Sequence, residues 1–288
     1  MIDSFQYGLS QLALLVFTTL SPSAACAFVI VGATVVLSKR DEGERVRLAR
    51  FLIIPTAISL VGLIVSTSHL GKPSNSLFVL TGIGRSPLSN EVAAAVVFAG
   101  MAWLFCMLSF TRSAAKGPFW AFLGFTCVAA VAHIWFTASA YKIVTIVTWY
   151  TPYTLANQFL QAIAGGCLLA ILTFVSAGWR KEKRLFVALL VVALVAVLAS
   201  AAIQFVLMGQ METLASALVT AAEYVPYYPM LVGVSLALCV LAVAIELVSV
   251  LKQPLPGLPC AIGSSVLMLA GIAVARFGFY CTHLTAGI

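Results

Sequence analysis

Eight separate stretches of this chain run for about twenty or more mostly apolar residues: 10–37, 48–70, 91–111, 118–141, 155–178, 185–208, 230–251 and 260–281. An α-helix rises 1.5 Å per residue, so ~20 such residues cross the ~30 Å hydrocarbon core of a bilayer. Inside that core every backbone N–H and C=O must find its partner within the protein, which leaves helices as the only solution for isolated spans. The pattern predicts an all-α integral membrane protein with eight transmembrane helices, forming one polytopic unit over 1–288. Composition agrees, with 62% hydrophobic and 9% charged residues against roughly 25% charged in soluble domains. An ordinary soluble enzyme, a disordered chain and a disulfide-stapled secreted module are all excluded. The first run reads as a retained helix rather than a signal peptide. Its leader contains Asp3 and no Lys or Arg, and the apolar stretch is too long. Pro22 marks a candidate kink within it.

The formal charge is +7, and its distribution matters more than its size. Twelve of the sixteen Lys and Arg fall in the loops after the first, third, fifth and seventh helices, from Lys39 to Arg50, Arg112 and Lys116, Arg180 to Arg184, and Lys252. Only Lys72, Arg85, Lys142 and Arg276 lie toward the other side. The positive-inside rule then places both termini outside, which in a bacterial inner membrane is the periplasm. A membrane explanation accounts for the charge, and nucleic acid is not an expected partner.

Seven cysteines stand at 26, 106, 127, 167, 239, 260 and 281, no two closer than 21 residues. No local metal-ligand spacing results. They read as small packing residues, and neither an iron–sulfur cluster nor a covalently attached c-type haem is expected in this chain. The outer loops, about 71–90, 142–154 and 209–229, carry Phe78, Trp149, Tyr150, Tyr153, Tyr224, Tyr227 and Tyr228. These form either an interfacial aromatic belt or a docking surface for a partner on the outside, with Trp149, Tyr150, Tyr153 and Tyr227 as its anchors.

Ionisable residues near or inside spans are costly and therefore candidate functional groups. They are His69, Glu91, His133, Glu246, Arg276 and His283. All but Glu246 fall on the outer half. Glu246 reads as a buried acid bonded to a neighbour or to Lys252, or as a cytoplasmic proton inlet. The chain leaves the membrane at His69-Leu70-Gly71-Lys72-Pro73, where Gly71 and Pro73 stop a helix. It returns at Ser89-Asn90-Glu91, where Ser89 or Asn90 can cap the next one. An imidazole and a carboxylate thus stand at one depth on consecutive helices. Arg276, Tyr280 and His283 share one helical face by their spacing of four and seven, and Glu91 is a candidate partner for Arg276. A quinol suits such a site, because its oxidation releases two protons with two electrons, and a carboxylate and an imidazole can accept the protons.

The stretch from His69-Leu70-Gly71-Lys72-Pro73 through Leu80 and Gly84 to Leu88-Ser89-Asn90-Glu91 resembles the signature of DmsC-type membrane anchors, the anchor subunits of dimethyl sulfoxide reductase-like molybdoenzymes. Tyr141, Thr145 and Thr148-Trp149-Tyr150 agree with it, as do Arg276-Phe277-Gly278-Phe279-Tyr280 and His283-Leu284-Thr285. The resemblance spans the whole chain. It implies a subunit with no haem and no catalytic metal, holding an iron–sulfur electron-transfer subunit and a molybdopterin catalytic subunit against the periplasmic face. It also implies menaquinol oxidation with His69 and Glu91 at the quinol, and Gly71, Pro73, Arg276, Tyr280 and His283 around it. One departure is that Ala270 to Ala275 reads AGIAVA, where the family often has an acidic residue. Two other classes remain open from the residues alone: a haem b quinol oxidoreductase subunit, using the three His, and a secondary transporter built around Glu246. No internal repeat is visible in the sequence to support the latter.

Overall fold

A computed structural model describes residues 3–68, 73–111, 117–179, 183–252 and 257–285, with 73–77 described by backbone alone. A short helix, α1 (Ser4–Ser10), is followed by α2 (Leu12–Leu37), α3 (Glu42–Phe51) and α4 (Ile53–Thr67). A 3-10 helix (Pro73–Gly82) leads into α5 (Pro87–Thr111) and α6 (Gly117–Ala140). Next come α7 (Pro152–Ser176), α8 (Lys183–Gln210), the single turn α9 (Ala221–Tyr224), α10 (Tyr228–Lys252) and α11 (Leu258–Cys281). Eight helices among the described residues are long and apolar enough to cross a membrane, counting α3 and α4 as one span. The eight-helix expectation holds.

The boundaries move for physical reasons. The second span begins at Glu42, ahead of its apolar run. Its first ten residues form a polar helix capped by Asp41, whose carboxylate accepts from the Gly43 N–H at 3.0 Å. Val46, Leu48 and Ala49 bury one side of that helix while Arg47 is exposed, so the run of charges hid an amphipathic turn. The chain breaks briefly at buried Leu52 before α4. Pro22 lies inside α2 without ending it, as membrane helices permit.

The spans pack as two rings of four. In the first, α2 packs on α4, α4 on α5, α5 on α6, and α6 back on α2. In the second, α7, α8, α10 and α11 repeat that cycle. The rings join mainly along α2 and α7. These two helices bury 67% and 72% of their most apolar windows, against 33–44% for the other six. The two rings thus share one order of helix contacts, with four spans between corresponding helices. The sequence shows no such repeat; the likeness of the rings lies in helix order and packing, where apolar residues exchange freely.

Glycine makes the seam possible. A Cβ on Gly166 would lie 2.5 Å from Cys26 Cβ and 3.1 Å from the Ala27 nitrogen. Small residues let membrane helices approach closely where no water is available to drive them together. Gly166→Val is expected to lower the midpoint of thermal unfolding of the purified complex by several degrees, with an overpacking cost of ~1–3 kcal/mol. Gly100→Ala, where a Cβ meets nothing within 4 Å, is the control and leaves the midpoint unchanged or raises it. Equal midpoints for Gly166→Val and wild type would refute the close seam.

At the face that carries most basic residues, cations close helix ends. Arg45 Nε donates to the Val35 carbonyl at 2.9 Å, at the end of α2. Arg50 Nε reaches Ser109 O at 3.1 Å, at the end of α5, and Lys183 Nζ reaches Leu251 O at 3.5 Å, at the end of α10. Each satisfies a carbonyl that the helix itself leaves open and complements the dipole. The end of α7 uses the backbone instead. Gly178, at φ +76°, lets its own N–H reach Val175 O at 3.1 Å and the Trp179 N–H reach Phe174 O at 2.9 Å. Together these form a Schellman motif.

Candidate functional site

The opposite face gathers the first and last helices' free ends and most candidate residues. Its centre is an aromatic cluster on the segment after α6 and the end of α11. Tyr141, Trp149 and Tyr280 are all buried. The Tyr280 hydroxyl donates to Tyr141 at 2.9 Å and lies 3.2 Å from the Thr18 hydroxyl of α2. Trp149 stacks on Phe279 with ring centroids 4.6 Å apart, and its indole N–H donates to Phe279 O at 2.9 Å. Thr148 donates its hydroxyl proton to the Thr282 carbonyl. The Val147 N–H reaches Leu284 O at 3.1 Å. A buried polar group without a partner costs ~1–3 kcal/mol, so these bonds bind the loop 141–149 to the C-terminal tail.

Glu91 and Arg276 lie against this cluster, each 2% exposed. The Arg276 guanidinium interacts electrostatically with Glu91, Tyr141 and Tyr280. Thr137 of α6 lies at the Glu91 carboxylate. Among the described residues, Glu91 Oε1 and Arg276 Nε have no hydrogen-bond partner. A carboxyl and a guanidinium share one buried neighbourhood, then, and each keeps a polar atom with no partner among the described residues. Between the third and last spans the two groups interact electrostatically, with no ion pair between them within 4.0 Å among the described residues. The interaction joins an acid near the start of α5 to a base near the end of α11, and both ends lie at the same face.

Other expected residues fall differently. His69 and Gly71 lie outside the described residues; Pro73 begins the 3-10 helix. His283 does not continue the Arg276 face, because α11 ends at Cys281 and helical spacing ceases to apply beyond it. Its ring instead stacks on Tyr7 at 4.2 Å and meets Trp149 edge-on at 5.0 Å. Burial pushes the His283 imidazole below its ordinary pKa. Trp149, expected as a docking anchor, is only 4% exposed; its large ring and single N–H are both used within the fold. Tyr150 is 49% exposed, and Tyr153 and Tyr227 are half-buried. The Tyr227 hydroxyl lies 2.9 Å from the Ser4 hydroxyl, and burial raises its pKa. On the same face Glu223 is held below the usual carboxylate range by the backbone N–H and hydroxyl of Thr220, which it caps reciprocally.

His133 and Glu246 find quiet partners. His133 is fully buried, with Nε2 2.8 Å from the Ser21 hydroxyl, which in turn lies 2.8 Å from Ser59. Its Nδ1 is 3.4 Å from Thr137, and Phe98 stacks on its ring at 5.8 Å. Glu246 accepts from the Ser264 hydroxyl at 2.8 Å, near the basic face. Thr18, Ser21, Ser59 and Thr137 carry no charge, so a search of the sequence for ionisable groups passes over them. Uncharged polar residues inside apolar runs are the signal that finds them.

Residues 5–282 match the family described as DMSO reductase anchor subunit (DmsC). The protein is 29% identical over 288 residues to the C subunit of anaerobic dimethyl sulfoxide reductase from Escherichia coli (strain K12), with 98% of each sequence covered. It is 29% identical over 285 residues to the YnfH subunit of anaerobic dimethyl sulfoxide reductase from the same strain. It is 28% identical over 286 residues to the C subunit of the Haemophilus influenzae anaerobic dimethyl sulfoxide reductase. In both of these, too, 98% of each sequence is covered.

Proposed function

The chain belongs to the family of DMSO reductase anchor subunits (DmsC), and from that premise we propose that it anchors such a complex in the bacterial inner membrane and oxidises menaquinol there. The observation that carries the quinol reading is Glu91: a carboxylate buried at the membrane edge with one oxygen unpartnered and a guanidinium beside it. The face bearing it is periplasmic, since Arg45, Arg50 and Lys183 cluster at the other. An iron–sulfur subunit docks on that periplasmic face, over Tyr150, Tyr153 and Tyr227, and carries electrons to a molybdopterin subunit.

The chemistry follows from the groups present. Menaquinol gives up two electrons and two protons and becomes menaquinone. The Glu91 carboxylate accepts one hydroxyl proton and His69 the other, and the electrons leave to the iron–sulfur subunit. Arg276 orients the Glu91 carboxyl between turnovers, and the Tyr141–Tyr280 pair excludes water from the buried side. No resident metal or haem is needed in this chain. A haem held through His133 is disfavoured, because both its ring nitrogens face hydroxyls of the fold. For the transporter alternative, the one break within a described span, at Leu52, has no counterpart in α8, the second span of the other ring, whereas such proteins bind substrates at paired broken helices.

Since the acceptor groups and the electron exit lie on one side, oxidation moves no net charge across the membrane. In vesicles containing the purified complex, quinol oxidation is expected to acidify the side of the Glu91 face and to leave a potential-sensitive dye unchanged. A membrane potential generated by quinol oxidation alone would overturn this arrangement.

A further inference from the structure

A chain of hydrogen-bonding groups runs from Glu91 into the first ring, and each of that ring's four helices contributes to it. Glu91 stands on α5, Thr137 and His133 on α6, Ser21 on α2 and Ser59 on α4. All five are buried, none more than 2% exposed. Thr137 lies at the Glu91 carboxylate, and its hydroxyl is 3.4 Å from His133 Nδ1. His133 Nε2 is 2.8 Å from the Ser21 hydroxyl, which is 2.8 Å from that of Ser59. Helical spacing assembles the middle of this chain. His133 and Thr137 are four apart on α6, so one stands a turn above the other. Glu91 and Phe98 are seven apart and share a face of α5. Phe98 stacks on the His133 ring at an interplanar angle of 13°, and the Phe17 ring of α2 lies 5.9 Å from it. The helix that carries the acid therefore also grips the imidazole.

The proton positions follow by elimination. An ionised carboxylate only accepts, so the Thr137 hydroxyl donates to Glu91. The Thr137 oxygen then has only lone pairs to offer His133, and Nδ1 must carry the ring proton. A neutral imidazole has one N–H, so Nε2 accepts from Ser21. The Ser21 oxygen in turn accepts from Ser59. Every donor in the chain points toward Glu91. Burying an imidazole costs free energy unless its nitrogens are satisfied. Here both are engaged by hydroxyls, and the one charged group that the chain reaches is Glu91.

We propose that His133 is a positioning residue for Glu91: as its Nδ1–H tautomer it fixes the Thr137 hydroxyl as a donor to the carboxylate, and so leaves Oε1, which has no partner among the described residues, to the quinol hydroxyl. Ser21 and Ser59 hold that tautomer, and the Phe98 and Phe17 rings hold its plane. His133 itself neither touches quinol nor carries a proton away. The role rests on the quinol reading above; the tautomer rests on the chain of bonds alone.

The tautomer is read by solid-state nitrogen NMR of the intact complex in lipid vesicles with isotopically labelled histidine, His133 being the signal lost in His133→Asn. A protonated Nδ1 and a bare Nε2 are expected. Thr137→Val, which keeps the shape and deletes the hydroxyl, is expected to move the proton to Nε2. The role is read as menaquinol-dependent turnover divided by turnover with a soluble dye that reduces the iron–sulfur subunit directly. This ratio is expected to fall about tenfold in His133→Leu and in Thr137→Val, because a misplaced reacting group costs rate while the group itself remains. His133→Asn, whose amide N–H can stand in for Nδ1–H, is expected to keep the ratio within about threefold of wild type. Thr137→Val carries the test if His133→Leu fails to assemble. An Nε2–H tautomer in the wild type would overturn the proposal. So would wild-type ratios in His133→Leu and Thr137→Val beside lost turnover in Glu91→Gln, an outcome that leaves the quinol reading intact. Equal losses in His133→Leu and His133→Asn, with Thr137→Val at the wild-type ratio, would reduce His133 to packing and overturn the role. Wild-type turnover in Glu91→Gln would instead remove the quinol reading, and the role with it.

Discussion

Glu91→Gln is expected to lower menaquinol-dependent turnover by about a hundredfold or more in a complex that still assembles. The substitution keeps the shape of the side chain and a carbonyl oxygen beside Thr137, so packing at the start of α5 is retained. What it removes is the capacity to take a proton. General-base catalysis contributes about 10²–10⁴-fold, and Glu91 is the only acid that the structure places beside Arg276, Tyr141 and Tyr280 among the described residues. The control is turnover driven by a soluble one-electron dye that reduces the iron–sulfur subunit directly, which should stay at the wild-type level. Wild-type quinol turnover in the variant would remove Glu91 from the mechanism.

Arg276→Met is expected to act earlier, on folding itself. Glu91 would remain buried at 2% exposure without the guanidinium that balances it. Breaking one side of a buried charge pair costs ~3–5 kcal/mol, a large share of the ~5–15 kcal/mol that stabilises a typical domain. The subunit should therefore accumulate poorly in membranes and unfold at lower temperature. The double variant Glu91→Gln/Arg276→Met should recover much of the accumulation, because both charges are gone, while quinol turnover stays lost. That non-additivity is the signature of a coupled pair. Wild-type accumulation of Arg276→Met alone would show that the two residues are energetically independent.

The spans were legible because crossing lipid imposes a length and a composition that few other segments share. Glu91 and Arg276 were legible for the converse reason, since a charge in such a run stands out. Which side of each helix faces protein was not legible. A soluble helix marks its inner face with an apolar stripe, but α8 is apolar all round between Leu185 and Ile203 apart from Ser200. The difference between lipid and neighbour is carried instead by small residues such as Gly166 and by uncharged polar ones such as Ser21 and Gln161. The doubling of the four-helix ring was hidden for the same reason. His283 was misplaced by extending helical spacing past the point where α11 stops. Trp149 was misplaced by reading an aromatic in a loop as a surface residue when its N–H had a carbonyl to satisfy.

Ser4 touches Tyr227, Phe5 packs on Phe277, and Tyr7 stacks on His283, so the first and last described segments meet on one face. The segment 141–151, which leads from the first ring of helices into the second, lies on that same face. Joining residue 3 to residue 285 and opening the chain within 141–151 would exchange the order of the rings without moving a helix. In that sense the polypeptide is a nearly closed circuit, and its starting point is a matter of where the circuit was cut. The aromatic clasp of 141–149 on the tail lies at the junction of both possible cuts, which places a dense patch of non-helical bonding where the two halves would otherwise come apart.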